Sequence, residues 1–73
     1  MQLKVLVTIG TERRTFHAGL ASGDTLPMIE DEVERILSTE YRLPYFHLAY
    51  EGRDTWRVQV DDRRIGTVKA TRC

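Results

Sequence analysis

Residues 25–40 read TLPMIEDEVERILSTE, and the period of this stretch decides the fold. Leu26, Ile29, Val33, Ile36 and Leu37 recur at helical spacing, one apolar stripe of the width that packs on a sheet. The start is signalled by Asp24 or Thr25, either of which can cap free backbone N–H groups, and by Pro27, whose missing N–H costs little in a first turn. Glu30, Asp31 and Glu32 follow near the positive end of the helix dipole. Asp31 and Arg35 stand four apart in the order that favours an ion pair. Pro44 forbids continuation, so the spacing predicts a helix over residues 26–37 that stops at about Tyr41.

On both sides of the helix the period changes to two. In residues 2–9, Leu3, Val5, Val7 and Ile9 alternate with Lys4 and Thr8, the pattern of a half-buried strand. Leu6 breaks the polar face, which suggests a central strand or a contact on the second side. Residues 10–13, Gly-Thr-Glu-Arg, suit a hairpin turn. A second strand over 14–20 places Phe16, Ala18 and Leu20 on one face and Thr15 and His17 on the other, before a loop of small residues at 21–24. After Pro44, strands are expected at 46–51, 55–60 and 65–71, with turns at 52–54 and 61–64. Trp56, Val58 and Val60 face inward with Arg57 and Gln59 outward, and Gly66 marks a bulge or a close approach.

The order β-β-α-β-β-β makes a single small α+β domain over residues 1–73: an antiparallel-rich sheet with one helix packed on one face. The helix stripe should meet Val5, Val7, Phe16, Leu48, Trp56 and Val58. Nothing in the chain covers the opposite face, which should carry Lys4, Leu6, Thr15, His17, His47, Arg57 and Gln59. An open sheet with free edge strands invites strand pairing, so a homodimer is expected rather than a monomer.

The chain has 11 basic and 11 acidic residues, so its zero net charge hides an uneven distribution. Residues 24–40 hold six acids against Arg35, and every other segment is mildly basic. An overall balance of this kind is not the footprint of a general nucleic-acid binder. No run approaches the ~18 apolar residues of a membrane span. The N-terminal alternation reads as strand rather than signal core, which favours a cytoplasmic location. The single cysteine, Cys73, has no internal disulfide partner and is expected to be exposed.

Candidate chemistry is sparse. His17 and His47 show no metal-ligand spacing and read as exposed strand histidines. Ser22 and Ser38 have no nucleophile motif around them, and a domain this small offers no deep pocket to tune Glu30/Glu34 or Asp61/Asp62. No catalytic residue, metal ligand or cofactor site is assigned, and the expectation is a non-enzymatic protein. Two binding surfaces remain. The acidic helix face, with Glu30, Asp31 and Glu34, could meet a basic protein. The arginine-rich turns, with the pairs Arg13-Arg14 and Arg63-Arg64 and with Arg53 and Arg57 nearby, could grip phosphates, although Trp56 shares its face with Val58 and belongs to the core rather than to a stacking platform. The first surface makes the chain a protein-binding inhibitor, adaptor or accessory subunit. One concrete version, by analogy of size and class alone, is a phage or mobile-element inhibitor of a nucleic-acid-handling machine. The second makes it a nucleic-acid-binding module.

Overall fold

A computed structural model describes residues 2–19 and 25–72. The elements run β1 (Gln2–Ile9), β2 (Glu12–Gly19), α1 (Leu26–Glu40), β3 (His47–Gly52), β4 (Thr55–Val60) and β5 (Arg63–Arg72). The strands form one sheet in the order β2-β1-β5-β4-β3, with every pair antiparallel. This is the expected α+β order, and β1 has a strand on each side, as Leu6 suggested. The expectations for Leu20, for residues 21–24 and for Cys73 lie outside the described residues.

Packing follows the two periods. Leu3, Val5 and Val7 of β1, Ala18 of β2, Trp56 and Val58 of β4, and Val68 and Ala70 of β5 close around Ile29, Val33, Ile36 and Leu37 of α1. Phe16, Leu48 and Ile65 pack on the margin of this cluster. Trp56 is 0 % exposed, the largest side chain of the core. Its indole Nε1 donates to Oε2 of Glu30 at 3.1 Å, which satisfies the one polar group the ring carries inward. Leu26, expected in the stripe, is an exposed residue at the helix start.

The helix differs from expectation in detail. Its end is where it was expected: the helix runs to Glu40, with Tyr41 as C-cap donating its N–H to the Leu37 carbonyl at 3.3 Å. Thr25 is the N-cap residue without a side-chain cap bond, and its first turn holds no acid. Arg35 pairs with Glu32, three residues back, rather than with Asp31. That pairing raises the guanidinium pKa further. Burial raises the Tyr41 phenol above its ordinary value of 10.0, opposed by the charge of Arg14.

The three hairpin loops are each two residues long, which the expected three- and four-residue turns missed. Ile9 pairs Glu12 around Gly10-Thr11, Gly52 pairs Thr55 around Arg53-Asp54, and Val60 pairs Arg63 around Asp61-Asp62. Arg53, Asp54, Asp61 and Asp62 all have left-handed backbones, with φ of 53, 54, 51 and 61°. Two consecutive positive φ values are what a type I′ turn needs, because its twist matches that of the flanking strands. An L-residue with a Cβ pays for that conformation, and Asn-Gly pays least. Asp61→Asn/Asp62→Gly should therefore stabilise the domain by about 1 kcal/mol, a rise in Tm of about 4–8 °C for a domain of this size. A thermal melt reads it, and an unchanged or lower Tm would contradict the turn assignment.

Candidate binding surface

Partners across an antiparallel ladder share a face, so the register sorts every strand residue. On the face away from the helix, His17, Lys4 and Thr71 form one row, and Thr15, Leu6, Lys69 and Thr55 the next. Arg13, Thr8, Thr67, Arg57 and Ala49 form the third. His47 and Arg64 flank Gln59 in the fourth. No element among the described residues covers this face.

Its composition is one-sided. Five cations, Lys4, Arg13, Arg57, Arg64 and Lys69, stand against one carboxylate, Glu51, whose Oε2 lies 3.8 Å from Arg57 Nη1 at the β3 edge. Among the described residues Lys4, Arg13, Arg64 and Lys69 have no acidic partner. Arg57 is half-buried, and its Nε is buried without a hydrogen-bond partner. Threonines 8, 15, 55, 67 and 71 add hydroxyl donors, and Leu6 and Ala49 are the apolar residues of the face, both half-buried.

The cations are also ordered. Lys4 on β1, Lys69 on β5 and Arg57 on β4 each step one strand across and one row along, and His47 on β3 continues the line. Diagonal neighbours of this kind stand about 7–8 Å apart. A stripe of positive charge thus runs from β1 through β5 to β4, with Arg13 and Arg64 on one flank.

The expected arginine-rich turns are not where the arginines are. Arg13, Arg14, Arg63 and Arg64 lie in strands, and strand alternation sends each adjacent pair to opposite faces. Arg13 and Arg64 join the open face. Arg63 stands opposite Val60 on the helix side. Arg14 also lies on the helix side, 4.9 Å over the Phe16 ring and 5.5 Å from the Tyr41 ring centre, with Nη2 3.6 Å from Glu40. Lys4 and Arg57 were legible as outward residues. Arg64 was expected as a binding residue but in a turn rather than in a strand of this face, Arg13 likewise, and Lys69 was missed, although the inward Val68 and Ala70 on either side of it were signal enough.

The acidic helix is less available than its sequence implies. Glu30 is held by Trp56, Glu32 by Arg35 and Glu40 by Arg14. Asp31 and Glu34 are the exposed helix acids left without a pairing cation among the described residues.

Two open depressions mark the surface. Tyr45, Phe46, His47, Gln59, Asp61 and Asp62 line the larger, and Thr8, Gly10, Arg64, Ile65, Gly66 and Thr67 the smaller. Neither is enclosed enough to desolvate a titratable pair. No group of three or more His, Cys, Asp or Glu among the described residues could hold a metal ion. No helix among them is long and apolar enough to cross a membrane. Compared with family models, with curated proteins and with solved structures, the chain has no match in any of the three.

Proposed function

We propose that this chain is a non-enzymatic binding module, an adaptor, accessory subunit or inhibitor, that acts by laying its uncovered sheet face on an anionic partner. The observation that carries this is the segregation of charge. Five cations and five threonine hydroxyls share the strands of the open face with a single carboxylate, while five acids lie on α1 across the sheet and Asp61 and Asp62 lie in the turn at one end. A zero net charge thereby coexists with a field of one sign over one surface. The helix is the weaker contact surface, because three of its five carboxylates are already engaged within the domain.

Affinity capture from the host, compared across variants, tests the surface. Lys4→Glu/Lys69→Glu should lose the captured partner, and Asp31→Lys/Glu34→Lys should retain it. The reverse pattern would return the contact to the helix and sink this reading.

The second copy expected from the open edges is best placed at β2. That edge is eight residues long and has neither proline nor bulge. Pairing there would join two open faces into one broader basic surface. Sedimentation at micromolar concentration with reductant present should give the mass of two chains. Reductant matters because Cys73 could link chains covalently. A single-chain mass at every concentration removes the dimer.

A further inference from the structure

We infer that the partner of the open face is duplex nucleic acid, held through its phosphates rather than its bases. This rests on the surface assigned above and names its ligand. The chemistry of the face discriminates between anionic partners. A protein interface is built around a desolvated apolar or aromatic centre. Here the central positions are Thr8, Thr67, Leu6, Lys69 and Arg57. Leu6 is the one large apolar side chain among them, and no Phe, Tyr or Trp lies on this face in the described strands. The remaining side chains are overwhelmingly hydrogen-bond donors, the set that proteins turn toward phosphate oxygens.

The same absence of aromatics distinguishes duplex from single strand. Single-strand binders add stacking of bases on rings to a charged groove. The rings nearest the face, Tyr45 and Phe46, line a depression at its β3 corner beside His47 and Gln59, and none stands along the cation stripe, so the free energy comes chiefly from counterion release, which follows charge density, one charge per ~1.7 Å in a duplex. The diagonal Lys4, Lys69, Arg57 and His47, with steps of about 7–8 Å, is a line along which one backbone can run. Arg13 and Arg64, on the flank, can reach phosphates beside it. Such contacts carry no base readout, so binding is independent of sequence.

Fluorescence anisotropy with a labelled 20-base-pair DNA duplex, its single strand and the matching RNA duplex tests this, each titrated with the intact chain. About four phosphates neutralised gives a slope of log K against log salt near −3.6, a loss of about 150-fold between 50 and 200 mM. Lys4→Gln/Lys69→Gln should weaken duplex binding at least about 10-fold and lower the slope by about two. Arg35→Gln/Arg42→Gln removes the same formal charge away from the face and should change affinity less than about 2-fold if contact is local. Circular dichroism confirms that each variant is folded. No binding to any of the three probes at 50 mM salt overturns the inference. Equal losses in the two double variants, or tighter binding of the single strand, overturn it as well. If nucleic acid is not bound but Lys4→Gln/Lys69→Gln still loses a captured acidic protein, this inference falls and the assigned surface stands. If that protein is retained, both fall.

Discussion

Gly66→Ala should abolish the folded state at 25 °C, leaving no cooperative thermal transition. Gly66 sits where β5 slips against β4: Val58 pairs with Gly66 but Gln59 pairs with Arg64, so Ile65 is the extra residue. On its other side Gly66 faces Ile9 of β1, and the Gly10 N–H reaches the Ile65 carbonyl at 3.3 Å. A Cβ built at Gly66 would stand 2.0 Å from the Thr8 carbonyl oxygen and 3.0 Å from the Ile9 Cα. Both atoms are backbone of the neighbouring central strand, so no side chain can swing away. Relief requires β1 and β5 to part, which breaks ladder bonds beneath Val5, Val7 and Val68. A domain of this size has only about 4–11 kcal/mol to lose. Gly10 and Gly52 supply the comparison, since a Cβ at either meets nothing within 4 Å. Gly10→Ala and Gly52→Ala carry only the strain of their positive φ, on the order of 1 kcal/mol each, and should stay folded. A Gly66→Ala protein melting within a few degrees of wild type would mean the close approach is not there.

The bulge was legible in the sequence because a glycine interrupting an alternating strand has few other uses. The same holds for the place of Trp56, which shares parity with Val58, and for the helix stripe, whose period admits one orientation. What was not legible has a common physical cause: contacts between elements are set by strand order, which local pattern does not encode. That β5 runs between β1 and β4 is what brings Lys69 between Lys4 and Arg57 and turns isolated cations into a stripe. Glu30 looked like a free surface acid because its partner, the Trp56 indole, is 26 residues away. Arg35 had two carboxylates within helical reach, Asp31 and Glu32, spacing alone does not choose between them, and the pair forms with Glu32.

The arginine pairs failed for a different reason. Assigning residues 10–13 and 61–64 to turns made Arg13-Arg14 and Arg63-Arg64 look like paired tips. The loops are two residues long because positive-φ Arg and Asp took the places that Asn-Gly usually fills. Once those arginines are in strands, alternation separates each pair, and only one member of each reaches the open face. Charge counted along the sequence therefore misjudged both surfaces: it overstated the helix and scattered the cations of the sheet.

Val33→Asp should also unfold the protein near neutral pH, for an electrostatic reason that its pH dependence identifies. Val33 is 0 % exposed, in the middle of the helix stripe between Ile29 and Ile36 and within the cluster that includes Trp56 and Val58. No cation lies in that cluster, so a carboxylate there would be desolvated and unpaired, a cost of several kcal/mol. Val33→Asn puts a group of nearly the same shape in the same place without a titratable proton, and separates charge from shape and lost packing. Burial raises the folded-state pKa of the new Asp above its unfolded value of about 3.9. Below the unfolded pKa the group is neutral in both states and costs no more than Asn. As pH rises through the interval to the folded pKa, the unfolded chain ionises first and the folded state loses ground. Urea unfolding at pH 4 and pH 8 should therefore show Val33→Asp approaching Val33→Asn at the lower pH and falling well below it at the higher. A constant difference between the two variants across that range would mean the side chain reaches water, and the packing of α1 on the sheet would have to be redrawn.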